Sequence, residues 1–388
     1  MTLGLPLRTF FLLLLSHVFV DFFLGIWPLY KTMAQLDIAE AGFIAGLSGF
    51  IGEILQLGFG YFCDRGHRKR ILVFGIVMVS SIAWITLVTH SYLIFLLMLL
   101  LMVGSGSFHP AAVGALASIS SPFKGRLILL FTACGAIGMA VSQVVFTNLV
   151  NSTGHALWLL IPLLLLAFVV LTHSFPSMTM QNQMNFRNFF VQIAEHKKPL
   201  LLLYFSQISS YAVNLTFVFM LPDILRMKNC HPWLQFGGGH MSFVSGSILS
   251  MFVFGLVGHK WGYKRLLILS NICACLFLLI FLFFPVQSPL FVSALLILIG
   301  GFLCLINPMV VSWGNQIVPH SPSTISALLM GFAWCFSNLG PVIAGCLAKT
   351  TAHIISMAAI SILLLISLVL FFLIPQKQPE KAADIIQE

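Results

Sequence analysis

Charged residues are scarce in this chain. Only 7% of its 388 residues are Asp, Glu, Lys or Arg, while 59% are hydrophobic and the mean hydropathy is +1.04. Soluble domains carry about 25% charged residues. A chain of this composition cannot cover a folded surface with polar side chains, which excludes a soluble globular protein. Its apolar segments are about 20 residues long, the length that a helix needs to cross a bilayer.

The sequence also lacks the motifs of several enzyme classes. It contains no G-x-x-x-x-G-K-[ST] loop, so ATP is not expected to be its direct energy source. The segment HVFVD is not a zinc-binding H-E-x-x-H motif, because Val18 and Asp21 stand at the positions of the Glu and the second His. The spans leave no room for a soluble catalytic domain. We therefore expect no enzyme activity, no cofactor and no resident metal.

Twelve apolar segments are separated by short polar loops. They cover residues 8–30, 41–63, 71–89, 93–116, 127–150, 157–173, 199–225, 241–258, 266–286, 289–313, 324–347 and 353–374. This pattern predicts an all-α membrane protein with twelve transmembrane helices. The first segment is too long for a cleaved signal peptide and is expected to remain as a span. Every cysteine except Cys230 lies within or at the end of a span, so no disulfide framework is predicted.

Acidic residues are scarcer than basic ones. The chain has ten Asp and Glu and 19 Lys and Arg, which gives a formal net charge of +9. If the N-terminus is cytoplasmic, all but four of the basic residues fall in cytoplasmic segments. The four exceptions are Lys31, Arg226, Lys228 and Lys349. The positive-inside rule therefore predicts two cytoplasmic termini. Anionic lipid headgroups explain the basic excess, so no nucleic-acid partner is expected.

The longest polar segment divides the spans into two groups of six. It predicts an N-terminal six-helix bundle at 1–173, a cytoplasmic linker at 174–198, a C-terminal bundle at 199–374 and a cytoplasmic tail at 375–388.

The two groups resemble each other. GYFCDRGHRKR aligns with GLVGHKWGYKR at an offset of 195, and His109-Pro110 aligns with Asn307-Pro308 at an offset of 198. A nearly constant offset predicts a duplicated unit with a binding site between the copies.

The first of these loops carries a family resemblance. It is similar to the cytoplasmic loop signature of the major facilitator superfamily, G-x-x-x-D-[RK]-x-G-[RK]-[RK]. The matching residues are Gly60, Asp64, Arg65, Arg68 and Lys69, while His67 stands at the second glycine position. The resemblance implies a transporter that acts as a monomer. It also implies that this loop latches the two bundles in one conformation through Asp64 and a helix end.

A closer resemblance is to the fosmidomycin-resistance branch of that superfamily. The segments HVFVD, LQLGFGYFCDR and VGSGSFHP carry it, with His17, Asp21, Gln56, Asp64, His109 and Pro110 at matching positions. The fourth span lacks the arginine-centred motif of many drug/proton antiporters, and Leu57 stands where proline is expected. The branch implies a bacterial inner-membrane location.

Four ionisable residues interrupt the apolar spans. His17 and Asp21 lie one helical turn apart and share a face, and Glu53 and His109 lie in the second and fourth spans. A charged residue at mid-bilayer costs roughly 2.5–3.5 kcal/mol, and such residues mark ion pathways and proton relays. Imidazole titrates at about 6.5, so we predict proton coupling by Asp21, His17 and Glu53. The alternative is a structural His–Asp hydrogen bond that fixes helix packing.

Polar side chains also predict a substrate cavity. Its candidate residues are His109, Gln56, Gln207, Tyr211, Asn214 and Asn307. Tyr204, Gln207, Tyr211 and Asn214 share one face of the seventh span, which suits either a hydrogen-bonding wall or helix–helix packing. Pro110 and Pro308 are expected to kink their helices. Asp223 and Arg226, at the outer end of the seventh span, are expected to be solvated.

Three transport functions remain open. A proton-driven exporter of a small amphiphilic or anionic compound is favoured by the resemblance. A proton-coupled importer of a small solute or nutrient would use the same residues. A divalent metal carrier is the third, because His17, Asp21, Glu53 and His109 offer nitrogen and oxygen ligands if their helices converge.

Overall fold

A computed structural model of the protein describes residues 5–117, 124–175, 194–285, 288–318 and 325–375. Side chains are described for all of these except 117, 124–129 and 254–260. Most of the predicted linker and nearly all of the predicted tail therefore lie outside the described residues.

Fourteen α-helices are present in this part of the chain. They are α1 (Leu5–Leu24), α2 (Trp27–Met33), α3 (Ile38–Phe62), α4 (Arg68–Val79), α5 (Ser91–Ala117), α6 (Lys124–Thr153), α7 (Leu160–Thr172), α8 (Lys197–Met227), α9 (Gly239–Trp261), α10 (Tyr263–Phe283), α11 (Pro289–Ile317), α12 (Ala333–Ser337), α13 (Leu339–Thr350) and α14 (His353–Leu373). Two 3₁₀ helices (Ser80–Leu87, Leu157–Leu159) and three π-helical segments (Cys63–His67, Leu234–Gly238, Ala327–Phe332) adjoin them. Each of the twelve predicted spans contains one or more of these helices.

Nine helical segments in the described residues are long and apolar enough to cross a membrane. One of them, Ile38–Leu87, has 50 residues, or about 75 Å of helix, against a hydrocarbon core of about 30 Å. Its backbone leaves the helical conformation at Gly66, where φ is 91°. That glycine separates α3 from α4, as the two crossings predicted for this segment require. The total of twelve crossings and the cytoplasmic side of the termini stay predictions.

The helices repeat one packing arrangement. We call α1–α7 the first half and α8–α14 the second half. In the first half α5 packs against α3 and α4, and in the second half α11 packs against α9 and α10. Both central helices continue through an internal proline, Pro110 in α5 and Pro308 in α11. The matching contacts agree with the sequence repeat, while the kinks stay predictions.

The two halves meet where α3 packs on α13 and α6 packs on α9. At one end of this interface, Asp37 before α3 lies 3.4 Å from Lys349 in α13. At the same end, the hydroxyl of Thr147 in α6 donates to the carbonyl oxygen of Phe236, across 3.4 Å. We call this the sealed end. At the other end α3 is more open, and Leu57, Tyr61 and Phe62 are exposed.

Candidate functional site

Asp21 lies between two histidines that come from different helices. Its Oδ2 is 3.2 Å from Nε2 of His17 on the same helix, α1. Its Oδ1 is 3.3 Å from Nε2 of His109 on α5. His17 is 5% exposed and Asp21 is 9% exposed, whereas the His109 side chain is 28% exposed. Helical periodicity alone pairs the first two residues. Packing of α1 against α5 adds the third.

Backbone carbonyls fix the other nitrogen of each imidazole. Nδ1 of His17 lies 2.7 Å from the carbonyl oxygen of Phe131 in α6, and Nδ1 of His109 lies 2.9 Å from the carbonyl oxygen of Ser105. A carbonyl oxygen can only accept, so both Nδ1 atoms carry hydrogen. With neutral imidazoles, both Nε2 atoms then present lone pairs to Asp21.

The geometry of this cluster determines how many protons it can bind. With two neutral imidazoles and an ionised Asp21, the cluster has a charge of −1, and lone pairs oppose each other at both Nε2···Oδ contacts. Among the described residues, Asp21 Oδ1 accepts no hydrogen bond. One added proton makes the cluster neutral and turns one contact into a hydrogen bond. A second proton does the same for the other contact. Buried charges and unpaired acceptors are costly, so the geometry favours uptake of the first proton, whereas the second gives the cluster a charge of +1.

Helix α6 covers the cluster at a residue without a side chain. A Cβ atom on Gly135 would lie 2.3 Å from Asp21 Oδ2 and 2.5 Å from His17 Nε2. Phe131, one turn earlier on the same face, stacks on the His17 ring with centroids 4.0 Å apart. Only glycine at position 135 therefore lets α6 pack this closely over the His–Asp pair.

Glu53 connects this cluster to the second half. It extends from α3, interacts electrostatically with His109 and with Tyr211 of α8, and its Oε2 is buried without a hydrogen-bond partner among the described residues. Gln56, one turn further along α3, is partly buried. Of the four ionisable residues in the spans, His17, Asp21 and His109 therefore lie together, and Glu53 interacts electrostatically with His109.

The predicted polar face of α8 contacts the second half's own helices. Nε2 of Gln207 donates to Oδ1 of Asn307 in α11, and Oδ1 of Asn214 lies 3.6 Å from Sγ of Cys304. Tyr211 stacks on Trp334, with ring centroids 4.6 Å apart and planes 13° apart. Asn307 is thus paired within its own half, although the repeat places it at the position equivalent to His109.

The histidine–aspartate cluster has the spacing of a small cation site. One donor atom from each of His17, Asp21 and His109 lies within 4.8 Å of the others. Two imidazole nitrogens and a carboxylate suit protons or a divalent metal ion. Glu53 is not part of that group of three.

The predicted latch residues lie at the open end. The Asp64 side chain is 65% exposed, and its Oδ1 is 3.4 Å from Nη2 of Arg68 in the same half. Nη1 of Arg68 donates to the carbonyl oxygen of Gly114 across 3.0 Å, and the Arg65 guanidinium lies 4.2 Å from the Tyr61 ring centroid. Gly60 is partly buried and Lys69 follows Arg68 at the start of α4. The latching role stays a prediction.

A buried ion pair at the sealed end was not expected from the sequence. Lys31 on α2 is 2% exposed and pairs with Asp223 on α8. The hydroxyl of Thr32 also donates to Asp223, across 2.7 Å, and the Lys31 ammonium lies 4.5 Å from the Phe219 ring centroid. Asp223, which was expected to be solvated, is only partly exposed, because Lys31 and Thr32 contact its carboxylate. Arg226 is exposed as expected.

Sequence reasoning missed four contributors to these sites: Phe131, Gly135, Lys31 and Trp334. Phe131 acts through its backbone carbonyl, which has no sequence signal. Gly135 belongs to GAIGMA in the fifth span, and a glycine facing a polar helix could have been flagged for close packing.

Two comparisons with known sequences bear on identity. The Major Facilitator Superfamily model matches residues 9–237, more than half of the chain. The fosmidomycin resistance protein of Escherichia coli (strain K12) is 24% identical over 357 residues, which cover 87% of this chain and 85% of that protein.

Solved structures share the fold. A bacterial homologue of the human lysosomal transporter Spinster, in an inward-facing and occupied conformation, has a TM-score of 0.76 and 13% identity and covers 96% of this chain and 97% of its own. A mutant of the nucleoside transporter NupG has a TM-score of 0.74 and 16% identity. The match covers 95% of this chain and 98% of the NupG chain.

Proposed function

Because this chain belongs to the Major Facilitator Superfamily, we propose that it exports a small amphiphilic or anionic compound in exchange for protons. The family confirms the predicted resemblance, the all-α membrane fold and a secondary transporter rather than an enzyme. The chain is a multi-pass integral membrane protein that acts on a small-molecule substrate. Proton coupling, outward transport, a monomeric state and the bacterial inner membrane belong to the proposal.

The cluster of Asp21, His17 and His109 carries the proposal. It can gain one or two protons, and each gain forms a hydrogen bond and removes an unfavourable lone-pair contact. His109, the most exposed of the three, provides the route by which protons enter. The other titratable groups that interact with the cluster among the described residues are Glu53 and Tyr211, so substrate bound near them alters proton affinity.

Alternating access requires the two halves to exchange which end is closed. In the state described, Lys31, Asp223, Asp37 and Lys349 join the halves at the sealed end. The positive-inside orientation puts that end on the periplasmic side and the Asp64 loop in the cytoplasm. In that orientation the described state is inward-facing, ready to take substrate from the cytoplasm.

Growth of an efflux-deficient bacterial host tests direction and coupling together. The host expresses the wild-type chain, Asp21→Asn or the control Glu40→Gln, whose carboxylate is exposed at the start of α3. It is grown on graded concentrations of either an anionic compound, fosmidomycin, or an amphiphilic aromatic cation, proflavine. Resistance from wild type and Glu40→Gln, lost with Asp21→Asn at equal membrane expression, is the expected result. Greater sensitivity would instead identify an importer.

Proton movement is measured separately in proteoliposomes that contain a pH-sensitive dye. A substrate gradient should drive proton flux in wild type and in Glu40→Gln, with no flux in Asp21→Asn. Wild-type flux in Asp21→Asn would overturn the assignment of the cluster as the coupling site.

A divalent metal carrier is the second candidate, because three donor atoms lie within 4.8 Å of one another. Titrating purified protein with Co²⁺ distinguishes it from the proton exchanger. A visible absorption band that His109→Ala removes, together with Co²⁺ uptake into proteoliposomes, would replace the proton proposal. If Co²⁺ produces no absorption band, the metal-carrier function is excluded.

A further inference from the structure

An aromatic surface in the second half contains an unused hydrogen-bond donor. Tyr211 and Trp334 stack with their planes 13° apart, and both remain partly accessible. The indole N–H of Trp334 is buried without a hydrogen-bond partner among the described residues. Buried indole N–H groups usually find one. This donor is therefore available to an acceptor on a bound molecule.

An unused acceptor lies on a helix of the first half that packs beside this surface. Helix α3 packs against α12, which carries Trp334, and against the π-helical segment Ala327–Phe332. Glu53 interacts electrostatically with Tyr211 and with Cys335, the residue that follows Trp334. Its Oε2 is buried and, within the described part of the chain, accepts no hydrogen bond. A buried carboxylate oxygen without a donor is unfavourable. A ligand that carries an N–H group would satisfy it.

Open space lies beside Gly331, which precedes Trp334 in the chain by three residues. Gly331, three residues earlier and so on the same helical face, is buried. A Cβ atom on it would nonetheless meet no side chain and no neighbouring helix within 4 Å. Gly331 belongs to the π-helical segment Ala327–Phe332, and π-helical turns occur frequently at functional sites. The open space at Gly331 therefore accompanies an irregular backbone close in the chain to the indole.

The charged residues within the spans indicate the charge of the ligand. The acidic residues within the twelve predicted spans are Asp21, Glu53 and Asp223, and the only Lys or Arg within them is Arg8, at the start of the first. Asp223 is paired with Lys31 at the sealed end, so Asp21 and Glu53 are the carboxylates that remain for a ligand. A bound anion would meet these carboxylates without a permanent positive charge nearby. A cation would be attracted to both.

We propose that the substrate is a planar aromatic compound with a protonated nitrogen, bound between Glu53 and the Tyr211–Trp334 pair. Its ring stacks on the aromatic pair, its N–H donates to Glu53 Oε2, and the Trp334 N–H is available to a substrate that also carries an acceptor on the ring edge. This inference rests on the proposed transport function and narrows its substrate to amphiphilic cations, against the anionic class.

Equilibrium binding to the purified full-length chain in lipid nanodiscs tests the inference without any proton gradient. The probes are proflavine, a planar acridinium cation, and acridine carboxylate, an anion with the same ring system. Proflavine should bind at least about tenfold more tightly. Glu53→Gln should abolish this preference, and Trp334→Leu should weaken proflavine binding by about tenfold, while Trp334→Phe retains most of it.

Matched controls separate the site from general membrane partitioning. Glu40→Gln removes an exposed acid from the same helix as Glu53, and Trp84→Leu removes a tryptophan that is 47% exposed. Both should bind proflavine as wild type does. Equal or tighter binding of acridine carboxylate, or an unchanged preference in folded Glu53→Gln, would overturn the inference. If the wild type binds proflavine as expected but shows no substrate-driven proton flux in proteoliposomes, only the transport proposal is refuted.

Discussion

His17 donates from Nδ1 to the carbonyl oxygen of Phe131 across 2.7 Å, which ties α1 to α6. The contact fixes the tautomer of the imidazole, so Nε2 can change its protonation state only toward Asp21. A His–Asp pair with a purely structural role would hold the same single proton at all times. Here His109 presents a second nitrogen to the same carboxylate, so the number of bound protons can change without moving the helices.

Replacing His17 by Phe should uncouple transport without unfolding the protein. The new ring can keep the stacking on Phe131, but the carbonyl oxygen of Phe131 loses the hydrogen bond from His17, at a cost of about 0.5–1.5 kcal/mol. Substrate should still bind, while substrate-driven proton flux falls to background. His90→Phe, at an exposed position, is the control. Undiminished proton flux in His17→Phe would show that His17 only supports packing.

Gly135→Ala should impair coupling through a steric clash. Its Cβ would lie 2.3 Å from Asp21 Oδ2, so the carboxylate or α6 must move, at a cost of about 1–3 kcal/mol. Gly58→Ala is the matched control, because a Cβ there meets no atom within 4 Å. Thermal unfolding and proton flux are measured for both. Equal unfolding temperatures and equal proton flux in the two variants would mean that coupling does not depend on the close packing of α6 over Asp21.

The sequence predicted the part of the site that depends on helical periodicity. His17 and Asp21 had to share a face, and buried ionisable residues in apolar spans had to have partners. That α1 packs against α5, and so brings His109 to Asp21, depends on tertiary packing between helices far apart in the chain. The family resemblance, carried by Asp64 and its neighbours, supplied the fold that brings them together.

Two kinds of residue escaped prediction for physical reasons. Lys31 and Asp223 lie 192 positions apart at helix ends, where a charged residue is ordinarily solvated, so only the packing of α2 against α8 reveals the buried pair. Trp334 is one of many aromatic residues, which make up 13% of the chain. Nothing in its sequence context distinguishes an indole with a buried N–H group from one that faces lipid.

The Lys31–Asp223 pair should stabilise the sealed end as a unit. Lys31→Met leaves Asp223 as a buried charge without its counter-ion, which costs about 3–5 kcal/mol, whereas replacing both charges by apolar residues is often nearly neutral. We expect Lys31→Met to lower the unfolding temperature and Lys31→Met/Asp223→Leu to recover most of it. Additive effects of the two substitutions in thermal unfolding would show that the pair contributes no coupling energy.

Asp37 should contribute stability that depends on pH. Hydrogen bonds from the backbone N–H groups of Glu40 and Ala39, together with Lys349, hold its pKa below the ordinary 3.8. Since the pKa is lowered in the folded protein, this stabilisation is present above about pH 4 and is lost as the pH falls through the folded pKa.

The variants of Asp37 separate its two contacts. Asp37→Ala removes the helix cap and should cost about 1 kcal/mol near neutral pH, whereas Asp37→Asn keeps the cap and loses only an exposed ion pair. Thermal unfolding at neutral pH and near pH 3 measures both. A loss in Asp37→Asn as large as that in Asp37→Ala would assign the stabilisation to Lys349 instead of the cap.

Asp64 should act on the rate of conformational exchange rather than on substrate affinity. In the state described it pairs with Arg68 at the open end of its own half, and we expect it to reach the opposite half only when that end closes. Asp64→Asn should therefore lower the maximal transport rate severalfold while leaving the equilibrium Kd for substrate unchanged, because the free site stays intact. Arg70→Gln, in the same basic loop but outside the matching motif, is the control for a general loss of positive charge. A weaker Kd with an unchanged maximal rate would mean that Asp64 shapes the binding site, and the latch would then have to reside elsewhere.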